Sequence, residues 1–380
     1  MRIAEEDSAN NLVAIFESSA TIDRICNTLN EDVVLLNQVM NSHGVTTKSG
    51  LFYYTESDTG FIGFIKKILD RIRDALMHLA STIVDFFNGM GSELGRLEFL
   101  NRRLAYNAEE RTNLPVKRDT IKLHREGQVF IVNGKHITNP GDFILSLHDL
   151  TDQFSIIVDR HMPKVLSLGT ELGTLLDQNG VTPVERLYRA VAAVEALELD
   201  LIGQTVKAKR YRDERFIDHD VLLAPALPNN KSLIIQSLKA DKSATPSVIA
   251  SATRRYKITL EPTFTEYYPI EELEIKTIPA AVVNSMSETL TKLLAVISKY
   301  QRGNLKRDLV QLQKKLADKA NGFDVGKFTA ADKAELSALL SIVSGFAGWS
   351  TKPHKELCLL SMTTARAVLT IGHKSLMAHD

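Results

Sequence analysis

The chain has 380 residues, 44% of them apolar, and its 46 Lys+Arg balance its 46 Asp+Glu to a formal charge of +0. That much apolar material builds one large core or two ordinary ones and excludes disorder for most of the length. A neutral chain has no overall electrostatic reason to condense on nucleic acid or anionic lipid, so any such contact has to be local.

From Ala9 to Met40, apolar residues such as Leu12, Ile15, Ile22, Ile25, Val33 and Leu36 fall at steps of three and four, which predicts a helix stopped near Gly44. The polar stretch Thr46 to Thr59 reads as a loop. The segment GFIGFIKKILDRIRDALMHLASTIVDFFNG follows, Gly60 to Gly89. On a helix it places Phe61, Phe64, Ile65, Ile68, Ile72 and Leu76 on one stripe, opposite Lys66, Lys67, Asp70, Arg71, Arg73 and Asp74. A helix that lies on lipid usually carries a mainly basic polar face. The mixed signs here favour burial of the stripe against protein. A separate helix is expected from Ser92 to about Tyr106.

The period then changes. Thr120 to Thr138 alternates in short runs around Asn133-Gly134, the dipeptide of a tight hairpin turn, and predicts a small β meander. Asp142 can cap the helix that carries Phe143, Leu147 and Leu150, and the helical pattern continues to about Leu176 with a kink at Pro163. Thr182-Pro183-Val184-Glu185 is a capping box with proline at the first helical position, opening a helix to about Ile202. Between Phe216 and Leu273 the chain is Pro-rich and β-branched and reads as extended segments. Past Pro279 it is helical to the end, including a heptad-like Leu305, Leu309, Leu312, Leu316 series with Lys306, Arg307, Lys314 and Lys315 around it.

The expected fold class is therefore mainly α: a bundle-like body of many helices with a small β meander and a β-containing insertion (α+β). We divide it into an N-terminal helical segment and loop (1–59), an amphipathic helix region (60–110), a helical body with the meander (111–215), a β-containing segment (216–278) and a C-terminal helical domain (279–380).

The chain carries no phosphate-binding GxxxxGK[ST], no GxGxxG after a strand, no GxSxG, no HExxH and no CxxC, so no catalytic residue, metal ligand or cofactor is assigned. Cys26 and Cys358 lie far apart with no histidine at ligand spacing, as in a reducing compartment. The acidic start MRIAEEDSANN lacks a secretory signal, and no run of 18 apolar residues suggests a membrane span. The acidic group Asp213, Glu214, Asp218, His219 and Asp220 matches no ligand spacing and reads as solvated charge. The densest basic run, KAKRYR, supplies Lys207, Lys209, Arg210 and Arg212 beside Tyr211, but acids follow at once, and it reads as a solvated helix end. The candidate interaction residues are these four and the six of the Phe61 to Leu76 stripe.

An acidic helical start, a loop, the Phe/Ile/Lys segment FIGFIKKILDRI and a long helical body together resemble the internal virion proteins of very large tailed bacteriophages. The resemblance implies a protein packed in the capsid with the genome and, in one group of such phages, trimmed after a small residue, any residue, then Glu. Gly91-Ser92-Glu93, Ala108-Glu109-Glu110 and Gly169-Thr170-Glu171 have that form. It also implies a non-enzymatic structural role in the phage head after synthesis in the host cytoplasm. The partners would be other virion proteins or further copies, with weak nucleic-acid contact as a further option. The alternative is a membrane-active protein that uses the 60–89 helix at the lipid interface.

Overall fold

The computed structural model describes residues 2–42, 45–47, 50–52, 58–177, 181–196, 204–207, 220–237, 257–263, 268–322 and 330–379. The fold is mainly α, as the periodicity predicts. Its spine is α2 (Asp58–Arg111), a single 54-residue helix against which α1 (Arg2–Ser42), α7 (Ala280–Arg302), α8 (Leu305–Asn321) and α10 (Lys352–Leu376) all pack. The expected break between Gly89 and Ser92 does not occur. A mid-helix glycine costs only about 1 kcal/mol, which burial of the flanking Phe86, Phe87, Met90 and Leu94 outweighs. Gly91 also serves the packing: a Cβ there would stand 2.9 Å from Gln301 Nε2 of α7.

The polar stretch between α1 and α2 holds two short strands, β1 (Val45–Thr47) and β2 (Gly50–Phe52), paired antiparallel, where the composition suggested a loop. Beyond α2, the expected meander is divided. Strand β3 (Thr120–Leu123) pairs with β10 (Leu273–Lys276), placing Leu123 opposite Leu273 and Ile121 opposite Ile275. It pairs so far away in sequence because Ile121, Leu123 and Ile275 share a face that the helical core buries. A short helix, α3 (Arg125–Val129), leads to the hairpin β4 (Ile131–Val132) and β5 (Lys135–His136). Asn133 and Gly134 take positive φ angles of 51° and 75°, as the Asn-Gly signal demands.

Helix α4 (Pro140–Ile156) is capped by Asn139, whose Oδ1 accepts from Gly141 N at 3.1 Å, and not by Asp142. Pro140 fixes the first helical φ, so Asp142 falls inside the first turn. The kink expected at Pro163 is a π-helical turn, Ile157–His161, that runs directly into α5 (Met162–Asp177). Proline cannot donate to the preceding turn, and the wider turn, with Met162 N bonded to Ile157 O, absorbs the loss. Thr182 caps α6 (Pro183–Glu195) with its side chain accepting from Glu185 N at 3.3 Å. This helix closes at Ala196, short of the Ile202 expected.

The β-containing segment is a four-stranded antiparallel meander: β6 (Gln204–Lys207), β7 (Asp220–Leu223), β8 (Lys231–Ser237) and β9 (Lys257–Pro262). Its β7–β8 turn places Asn229 and Asn230 at φ 60° and 52° and docks on the β4–β5 hairpin. Asn230 Oδ1 accepts from Gly134 N at 2.9 Å, and Asn230 N donates to Ile131 O at 2.7 Å. Helices α7, α8, α9 (Ala330–Trp349) and α10 complete the body. The described side chains of α9 from 335 to 348 are all buried, which suits a central helix whose apolar content has no single face.

Candidate functional site

The amphipathic stripe of α2 is the feature the sequence marks most strongly. Ile68, Ile72 and Leu76 are 1%, 2% and 0% exposed, so this part of the stripe is covered by the chain itself. Much of the cover is α1, which turns Ile15, Ile22, Ile25, Cys26, Leu29 and Val33 into the same core. Phe61, Phe64 and Ile65 lie in the first turns of α2, where only the backbone is described. Of the basic run, Lys207 ends strand β6, paired with Asp220; the β-branched Thr205 and Val206 put this piece in a sheet instead of the helix end expected. Lys209, Arg210 and Arg212 lie outside the described residues, as does most of the acidic group from Asp213 to His219.

Buried polar contacts fix how the helices meet, and no local pattern in the chain marks them. Lys355 of α10 is 2% exposed and donates to Asp23 Oδ2 at 2.7 Å and Ser19 O at 3.1 Å, both on α1. Glu93 of α2, fully buried, accepts from Arg366 of α10 at 2.6 and 2.8 Å. Asn101 of α2 binds α7, its side chain donating to Ser287 O at 3.0 Å and Thr291 Oγ1 at 2.9 Å and accepting from Ser287 Oγ at 2.8 Å. At the centre, the Tyr300 hydroxyl bonds to His354 Nδ1, and Phe87 and Phe154 pack on the Tyr300 ring at centroid distances of 4.8 and 5.6 Å. Burial raises the Tyr300 hydroxyl and the Cys358 thiol well above their usual ranges and holds the His354 imidazole down at about 4. These groups are neutral, dry and packed, the reverse of a poised nucleophile or base.

Among the described residues no group of three His, Cys, Asp or Glu side chains converges as metal ligands would. A shallow groove of about 300 Å³ lies between α5 and α8, with Ser167, Thr170, Gln311 and Lys315 on its walls. The α7–α8 stretch Ala280–Ala320 is long and apolar enough by composition to cross a membrane, yet half of its most apolar window is buried inside the fold. Val283, Met286, Leu290, Leu293 and Ile297 of α7 are all core residues.

A molecule whose polar interior serves helix docking has the character of a building part. A family model of phiKZ-like phage internal head proteins matches residues 56–374. The chain belongs to this family. No curated protein and no solved structure matches it. As an internal head protein it is a structural component of the virion head. The match opens just before α2 and closes within α10, so it takes in the spine and the helices packed on it, while α1 precedes it.

The three triplets of cleavage form all lie in helices of this internal head protein. Two of their small residues have a packing reason to be small. Gly91 faces Gln301, and a Cβ on Gly169 would stand 2.5 Å from Leu312 Cδ2 and 2.6 Å from Phe346 Cζ. Glu93 is locked beneath Arg366. Glu109 and Glu110, in the last turn of α2, are exposed and lead into the exposed stretch 112–120.

Proposed function

We propose that this internal head protein is a non-enzymatic part packaged with the genome, working through contacts with other head proteins and with copies of itself. The observation that carries the reading is the stripe of α2. The residues that would have inserted into lipid, Ile68, Ile72 and Leu76, are satisfied within the chain, which leaves adhesion to its outer surfaces. Phe99 and Tyr106, one stripe of α2 apart from the core, are 60% and 59% exposed with Arg102 and Arg103 between them. Exposed aromatics beside arginine are the side chains that protein interfaces favour.

Crosslinking of intact virions, followed by mass spectrometry of the linked peptides, tests the reading. The expected result is links from the outer face of α2 to other head proteins or to a second copy, in DNA-filled heads. Recovery of the protein as an unlinked species, or catalytic turnover by the purified chain that is lost on mutating its own residues, would overturn it.

A further inference from the structure

Although the chain is neutral overall, residues 299–322 are not. Lys299 and Arg302 close α7, and α8 adds Lys306, Arg307, Lys314, Lys315 and Lys319, against only Asp308 and Asp318 in the same stretch. Helix α8 buries Leu309, Leu312 and Leu316 and turns Arg307, Gln311, Lys314 and Lys315 outward. Arg307 and Lys314 stand seven residues apart on this face, about 10 Å along the axis.

Nearby acids meet part of this charge. Asp308 is paired with Arg307 at 3.1 Å, Asp159 with Lys299 at 2.7 Å and Glu98 with Arg302 at 3.9 Å. Asp318 of α8 and Glu171 of α5 are exposed and reduce the excess without removing it. Lys314 and Lys315 make no ion pair or hydrogen bond among the described residues. Beside Lys315 runs the groove to α5, where the Ser167 hydroxyl and the Gln311 amide offer neutral donors. By contrast, the cations on the outer face of α2 are interleaved with acids: Arg73 binds Asp74 at 2.8 Å and Arg71 binds Asp32 at 3.4 Å.

We propose that the outward face of α8, with the end of α7, docks the phosphate backbone of duplex DNA. Ammonium and guanidinium groups along a ridge, with hydroxyl and amide donors between them, suit backbone contact without base readout. The proposal rests on the reading that the protein shares the head with the genome, and it assigns the surface that would touch it.

The test is fluorescence anisotropy of a short labelled duplex with the full-length protein across salt. Wild type should bind with an affinity that falls steeply as salt rises. The K314A/K315A variant should bind about tenfold or more weakly, with the salt slope reduced by about 2, near 0.9 per lost contact. K314R/K315R and the α2 control K66A/K67A should both behave as wild type. Absence of wild-type binding at low salt, equal loss in K66A/K67A, or loss in K314R/K315R would each overturn the assignment. None of these results bears on the protein crosslinks inside the head, so the two readings fail separately.

Discussion

Lys355 of α10 and Asp23 of α1, 332 residues apart in sequence, are joined by a 2.7 Å bond between their helices. The ammonium is buried, and its only other acceptor among the described residues is Ser19 O at 3.1 Å. Replacing Asp23 by Ala strands that charge. The expected loss is about 2 kcal/mol, below the full cost of breaking a buried pair because the Asp23 side chain is 39% exposed. Lys355→Met, which removes the charge and keeps the volume, should cost less. Urea unfolding at unchanged m-value measures both.

Two glycines should respond to alanine with opposite signs. Gly169 has Leu312 and Phe346 side-chain atoms at 2.5 and 2.6 Å from a built Cβ, so Gly169→Ala should destabilise by about 1–3 kcal/mol. Gly95 lies mid-helix with no atom of the described residues within 4 Å of a built Cβ, and Gly95→Ala should stabilise by about 0.5–1 kcal/mol. Thermal melts followed by circular dichroism separate the two. Equal behaviour would mean that α5 does not approach α8 and α9 as closely as described.

Acid should weaken the fold through His161. This residue sits in the π-helical turn, 2% exposed, with neither ring nitrogen hydrogen-bonded among the described residues, and burial, aided by nearby His354, holds its pKa down at about 3. In an unfolded chain the same imidazole takes up its proton near pH 6.5. The unfolded state therefore binds a proton that the folded state refuses, and stability falls as pH drops from about 6.5 toward 3, with no effect above that window. His161→Leu should match wild type at pH 7.5 and exceed it at pH 4.5 by on the order of 2 kcal/mol. A variant with the wild-type acid limb would show that another group governs it.

A Glu-specific protease should cut the native protein at Glu109 or Glu110 well before Glu93. The former are exposed at the end of α2, whereas Glu93 is buried mid-helix under Arg366. Mass spectrometry of the first fragments reads the order. Early cleavage at Glu93 would mean that α2 opens near Gly91.

Liposome flotation addresses the lipid alternative. Wild type should remain with the protein fraction, and Ile68→Asp should lower the melting temperature, since the side chain is 1% exposed in the core. Flotation of the folded wild type would reverse this expectation.

Periodicity carried most of the helices because they bury one continuous stripe, the all-round burial of α9 excepted, and Thr182 and Asn133-Gly134 were legible because caps and tight turns are local chemistry. What the sequence left unreadable is long-range. Nothing near Thr120 announces Leu273, and the continuity of α2 through Gly89 and Gly91 depends on α7 being close enough to require a small residue. The stripe through Ile68, Ile72 and Leu76 was plain, but its cover by α1 was not. The charge of α8 was visible as Lys306, Arg307, Lys314 and Lys315 around a leucine series, while its outward orientation needed the packing.

The pairing of β3 with β10 works as a buckle. The chain between them, residues 124 to 272, is closed at its neck by four residue pairs, Leu123 with Leu273 through Thr120 with Lys276. Tying off a flexible loop costs free energy only as the logarithm of its length, so doubling it would add about 0.6 kcal/mol. Added length is therefore tolerated in its exposed connections, such as 138–139, whereas α4 and α5 of the same segment hold the body by packing Phe154 on Tyr300 and Gly169 against Leu312 and Phe346.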